Sequence, residues 1–212
     1  MANLDALPDD VLKEILALKE AKIKLEIRDK ATNSFMAFAH HVYENFIEGA
    51  HHRVIAQKLE AVARGEIKRL IINMPPRHSK SEFASFLMPA WFLGRNPKLK
   101  IIQATHNTEL AVRFGRKVRD LIDDPAYKEI FPGTVLKEDN KGAGKWGTNK
   151  GGEYFAAGVG AAVTGRGADL FIIDDPHSEQ DALSETAFDH AYEWYTSGPR
   201  QRLQPGGAII LL

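Results

Sequence analysis

At 212 residues, 44% hydrophobic and 26% charged, the chain is long enough to bury one substantial core and has the composition of an ordinary globular domain. Its 28 basic residues cancel its 28 acidic ones, so contact with nucleic acid would have to come from a local patch or from several copies acting together. The absence of cysteine excludes disulfide frameworks, thiolate zinc sites and thiol redox chemistry; apolar runs such as Leu70–Met74 and Leu170–Ile173 are too short to cross a bilayer, and no basic-then-apolar signal opens the chain. The sequence therefore reads as soluble and untargeted, with no membrane partner. In chain order, Asp9 to Lys30 sets Val11, Leu12, Ile15, Leu16, Leu18, Ile23 and Ile27 among charges after Pro8, which predicts a long amphipathic helix. Shorter helices are expected over Ser34 to Phe46 and His51 to Ala63, separated by Glu48-Gly49-Ala50 and stopped near Gly65.

From Arg69 the pattern changes. Leu70 to Met74 reads as a buried strand, Ser81 to Leu93 as a helix, Leu99 to Thr105 as a second strand and Asn107 to Ile122 as a further helix. A stretch carrying Pro132, Gly142, Gly144, Gly147, Gly151 and Gly152 reads as surface loop. Strands follow over Glu153 to Ala157 and Asp169 to Asp174, then a helix over Ser184 to Tyr195 and a last strand from Gly207 to Leu212. Strands alternating with helices predict an α/β fold, a doubly wound and mainly parallel sheet, with residues 1–66 as a helical N-terminal extension packing on a core of residues 67–212. No internal repeat is apparent.

Two places carry chemistry. Pro75-Pro76-Arg77-His78-Ser79-Lys80-Ser81 lies between a strand and a helix, where a phosphate-binding loop belongs: backbone N–H groups and the helix start face phosphates, a lysine reaches the β/γ oxygens and the next hydroxyl ligates magnesium. Lys80 and Ser81 fit those roles, with Pro76, Arg77, His78 and Ser79 lining the loop. Against G-x-x-x-x-G-K-[ST], both glycine positions are changed, to Met74 and Ser79, and a proline-rich turn with a solvated lysine would spell the same way. The second place is Leu170-Phe171-Ile172-Ile173-Asp174-Asp175, an apolar strand ending in two carboxylates. Asp174 is the candidate metal-site residue and Asp175 the candidate for polarising an attacking water. A polar strand exit before Pro176 is the plainer alternative. The two places together point to an ATP and Mg²⁺ site more strongly than either alone. Gly142-Ala143-Gly144-Lys145 is rejected as a phosphate loop, because a charged stretch precedes it and Trp146 follows. His40-His41 and His51-His52 lack the i, i+4 spacing of a helical metal pair.

These residues resemble the phage large terminases, in particular those with Pro-Pro-Arg-His-Ser-Lys-Ser in place of a standard Walker A motif. The likeness runs from about Phe38 and includes His51-His52, Ile72 to Arg77, Tyr127 to Phe131, Thr164-Gly165-Arg166-Gly167 and Asp174-Asp175-Pro176. It implies a P-loop NTPase of the ASCE type, a motor that hydrolyses ATP to move double-stranded DNA into a procapsid. It further implies a portal protein and a small terminase subunit as partners, a homo-oligomeric ring, and a place at the procapsid in the host cell cytoplasm. A coupling motif and a nuclease domain would be expected beyond Leu212. Asp175 stands where many such motors have glutamate, and Glu179 is a possible substitute. Arg77 is expected to contact the γ-phosphate within its own subunit, and Arg166 to complete a neighbour's site. An adenine pocket is expected on the helix carrying His52 and Gln57. A helicase-like nucleic-acid ATPase, or a nucleotide- or DNA-binding module without efficient turnover, would use the same residues.

Overall fold

The computed structural model describes residues 8–163 and 165–212. Three helices come first, α1 (Asp9–Asn33), α2 (Phe35–Val42) and α3 (Ala50–Ala63), followed by β1 (Arg69–Ile71). A π-helical segment, Glu82–Leu87, runs directly into α4 (Met88–Arg95), then β2 (Lys100–Thr105), α5 (Thr108–Asp123) and α6 (Pro125–Ile130). Strands β3 (Leu136–Lys141), β4 (Lys145–Thr148), β5 (Glu153–Gly158) and β6 (Ala168–Ile173) precede α7 (Glu185–Ser197) and β7 (Leu203–Leu211). All seven strands form one sheet in the order β1-β7-β6-β2-β5-β4-β3. From β1 to β5 every pairing is parallel, whereas β4 and β3 are added antiparallel at one edge.

The local chemistry explains the boundaries. Ser34, Asn107, Asp124 and Ser184 each stand just before a helix and accept a backbone N–H from its first turn, and Pro125 opens α6 at the position where its missing N–H is not needed. Helix α5 buries Ala111, Gly115, Val118 and Ile122, one stripe at i, i+4, i+7 and i+11, while its charged residues turn outward. The central strand β6 is buried on both sides, which is why Leu170 to Ile173 is apolar without alternation.

Alternate residues nevertheless sort by face. Ile101, Tyr154, Ala156, Leu170, Ile172, Ala208 and Ile210 pack under α2 to α6 in one continuous core with Phe35, Phe38, Phe83 and Trp91. Ile102, Ala104, Ala157, Phe171, Ile173 and Ile209 face the other way, where Trp194 and Tyr195 of α7 cover them. Helices thus lie on both faces of a mainly parallel sheet, but very unequally: among the described α-helices, only α7 packs on the second.

Two expectations need correction. The stretch around Gly142 to Gly152 is not surface loop throughout; it contains the β3–β4 hairpin, with Trp146 fully buried, stacked on Tyr154 at 4.8 Å and donating Nε1–H to the Gly115 carbonyl at 3.0 Å. Truncating such a ring would cost about 3–5 kcal/mol. Glycine was misleading because Gly144 and Gly147 allow close packing rather than looping: a Cβ on Gly144 would stand 2.7 Å from Val112 of α5. The N-terminal helix does form, yet Leu16, Leu18, Ile23, Leu25 and Ile27 are all exposed and Ala31 is its buried residue. Its apolar side chains fall into two separated rows, Val11, Ile15, Leu18 and Leu25 against Leu12, Leu16, Ile23 and Ile27, so no single face can be buried.

Candidate functional site

The loop Ile72 to Ser79 leaves β1 at the carboxyl edge of the sheet, where open α/β sheets hold their ligands. Ile72 extends the strand by donating its N–H to the Leu211 carbonyl at 2.8 Å. The chain then curls through two left-handed non-glycine residues, Arg77 at φ 64° and Ser79 at φ 61°, each costing roughly 1–2 kcal/mol relative to ordinary backbone. Ser79 occupies the second glycine position of the motif and adopts the conformation that glycine takes freely. Met74, at the first, does not. The Ser79 carbonyl accepts the Phe83 N–H at 3.0 Å, so Lys80 and Ser81 stand in the opening turn of the helix.

Ser81 and Ser85 both reach Asp174, across 93 and 89 residues of chain. Ser81 Oγ donates to one carboxylate oxygen at 3.1 Å and Ser85 Oγ to the other at 2.7 Å. Between them the helix widens into the π-helical segment, with the Met88 N–H reaching back to the Phe83 carbonyl. Such widened turns recur at functional sites. Asp174 is 2% exposed and Ser85 fully buried. Burial pushes the Asp174 carboxyl up from its usual range, the two hydroxyl donors opposing that rise, and Asp175 and Lys80 act more weakly in opposite directions. Lys80 Nζ pairs with Asp175 Oδ1 at 2.9 Å. Asp175 is itself left-handed, at φ 45°.

The residues fit a magnesium ion. A buried carboxylate raised by desolvation and met only by neutral hydroxyls gains from a nearby cation, and Mg²⁺ in phosphate sites takes one or two protein oxygens, completing its shell with phosphate and water. Among the described residues no group of three or more His, Asp or Glu side chains could hold a metal ion by itself. Ser81 and Asp174 would hold magnesium with phosphate and water completing its shell.

A cleft of about 400 Å³ is lined by Pro76, Arg77, Ser79, Lys80, Ser81, Glu82 and Asp175. The His78 ring donates from Nδ1 to the Pro76 carbonyl at 2.9 Å and lies 5.7 Å from His51. His52 accepts the Gly49 N–H on Nδ1 at 2.8 Å and stacks on Phe83, and burial lowers its pKa. Its Nε2 is buried without a partner. Thus the start of α3 touches the loop, whereas Gln57 is exposed further along the helix.

Glu179 is exposed on a neighbouring groove of about 820 Å³ that also carries Asp175, His106 and His177. Arg166 stands apart. It precedes β6, whose other end carries Asp174, and its guanidinium lies 3.9 Å from the centre of the Phe155 ring. Phe155 is level with Ile102 and Phe171 in the sheet, and Arg166 is not among the residues that line the cleft. Thr164 lies outside the described residues.

Two residues escaped the sequence reading. Ser85 sits four positions after Ser81, and that spacing before an acidic strand was its only signal. His106, directly after β2, donates its backbone N–H to the Asp175 carbonyl at 3.0 Å.

No family model matches the chain, and neither does any curated protein. Among solved structures it is similar to the large terminase of bacteriophage HK97, with 13% identity and a TM-score of 0.46 over 78% of this chain. The chain spans about a third of that terminase, 33% of its length.

Proposed function

We propose that the chain is the ATPase motor part of a viral large terminase, hydrolysing Mg-ATP to drive double-stranded DNA into a procapsid. The observation that carries the catalytic half of this reading is the Ser81–Asp174 hydrogen bond, 3.1 Å across 93 residues, beside a lysine at the mouth of a left-handed loop. A turn selected only for shape has no use for a buried carboxylate aimed at its helix start. The DNA-packaging half rests on the motif resemblance.

In this reading the loop N–H groups and Lys80 bind the phosphates, and Ser81 and Asp174 hold the magnesium, which neutralises developing charge when bound. Lys80 exchanges its ion pair with Asp175 for phosphate. That leaves Asp175 as an exposed carboxylate beside the cleft, able to orient water and accept its proton, with Glu179 as the other acid within the same groove. Arg77, on the cleft wall, meets the γ-phosphate. Arg166 belongs to the neighbouring subunit's site in a homo-oligomeric ring, because it packs over Phe155 and does not line its own cleft. The base belongs near α3, where His52 is closer to the loop than Gln57. A portal protein, a small terminase subunit and the host cytoplasm complete the assignment.

Calorimetry with Mg-ATP tests the site: Lys80→Ala should weaken binding at least tenfold, and equal affinity in both proteins would remove the phosphate-loop reading. Phosphate release with and without duplex DNA tests the motor. Strand separation without packaging by the full-length protein would instead favour a helicase.

A further inference from the structure

The carbonyl of Asp175 is held from two directions by one residue. It accepts the His106 backbone N–H at 3.0 Å and lies 3.3 Å from His106 Nδ1. On the far side of the ring, Nε2 is 2.9 Å from the Asn107 side-chain amide nitrogen. That amide cannot be turned around, because Asn107 Oδ1 caps α5 by accepting the Leu110 N–H at 2.8 Å. Its NH₂ group can only donate, so Nε2 of His106 must accept. The ring proton is therefore on Nδ1, and it points at the Asp175 carbonyl.

Asp175 needs such a hold. Its φ of 45° is a left-handed conformation that a non-glycine residue keeps only when its surroundings impose it. The anchor is itself fixed, since a Cβ on Gly158 would stand 2.7 Å from Thr108 Oγ1, so the start of α5 lies tight against the end of β5.

We propose that His106 is a positioning residue for the catalytic carboxylate: in the Nδ1–H form selected by Asn107, it clamps the Asp175 carbonyl, keeps the left-handed turn and so sets where that carboxylate stands. Through the cap, the setting of Asp175 is tied to the N-terminus of α5. The catalytic consequence rests on the ATPase reading above, but the clamp does not.

Two measurements separate them. Long-range ¹H–¹⁵N NMR of the histidine rings in the folded protein should show His106 as the Nδ1–H tautomer, and Asn107→Ala should release it towards the Nε2–H form common in solution. An Nε2–H ring in the wild type, or no change in Asn107→Ala, overturns the clamp whether or not ATP is the substrate. In single-turnover hydrolysis, His106→Ala should slow the reaction about tenfold with nucleotide affinity within about twofold. His106→Asn, whose amide can stand near the Nδ1 position, should recover most of the rate. Equal slowing in both variants, or loss of affinity together with rate, overturns the positioning role. A wild type that binds no ATP would fail the ATPase reading and leave the clamp to the tautomer measurement.

Discussion

Ser85→Ala isolates one hydrogen bond to the buried acid of the site. The substitution removes a hydroxyl that is fully buried and donates to Asp174 Oδ2 at 2.7 Å, and it adds no volume. A buried hydrogen bond to a charged group contributes about 1.5–3 kcal/mol, and the better helix propensity of alanine offsets roughly 0.5 kcal/mol of its loss. The net destabilisation is therefore about 1–2.5 kcal/mol, which for a chain of this size lowers the thermal midpoint by roughly 2–10 °C. The effect has a pH signature. Burial already raises the folded-state pKa of Asp174 above its usual 3.8, and losing a donor to the carboxylate raises it further. A raised folded-state pKa means that stability is fully present below the unfolded-state value and is lost as pH rises through the folded one. The deficit of Ser85→Ala should thus be small near pH 4 and grow towards neutrality. Ser81→Ala provides the contrast: its longer, 3.1 Å bond should contribute less to stability, while its loss should remove much more of the magnesium dependence of nucleotide binding. Melting curves across pH without nucleotide, and calorimetry with Mg-ATP, read both quantities. A Ser85→Ala protein as stable as wild type at neutral pH would refute the reasoning, because Asp174 would then not be held as an anion by this pair.

Three further outcomes are expected. Asp174→Asn should raise the thermal midpoint at neutral pH without nucleotide, by replacing a carboxylate that burial disfavours. The gain should vanish towards pH 4, and magnesium-dependent nucleotide binding should be lost; an unchanged midpoint would mean that desolvation does not govern this side chain. Gly115→Ala should destabilise by about 1–3 kcal/mol in denaturant titration despite a helix-propensity gain of up to about 1 kcal/mol, since its Cβ would stand 2.6 Å from the Ala143 carbonyl and 2.9 Å from the Tyr154 ring; a more stable variant would place the hairpin off α5. Mixing Lys80→Ala with Arg166→Ala should restore hydrolysis in verified mixed rings, because one subunit keeps Lys80 and Asp174 while its neighbour offers Arg166. No recovery would assign the Arg166 guanidinium to its contact with Phe155 alone.

What the sequence made legible follows from how each residue signals its role. Lys80, Ser81 and Asp174 stand at strand and helix ends, where apolar periodicity stops and a charged or hydroxylated residue has no packing reason to be, and the structure joins Ser81 to Asp174 and Lys80 to the adjacent Asp175. Ser85 carries no such mark, being a small residue inside a helix, and only the π-helical widening and the approach of β6 give it a partner. His106 was hidden for another reason: the relevant donors are its own backbone N–H and a ring proton whose position depends on the cap of the next helix. The β3–β4 hairpin was missed because Leu136 to Lys141 is charged and lies at the end of the sheet order. Charge on an edge strand discourages pairing with another chain, and the same charge erases the apolar alternation by which strands are recognised. Asp175 joins these threads. Read as a short substitute for glutamate, it must sit close to its work; its left-handed turn, held by the strand beside β6, brings the carboxylate to within 2.9 Å of Lys80. On the proposed ATPase reading, this backbone turn is what would give the shorter side chain its reach.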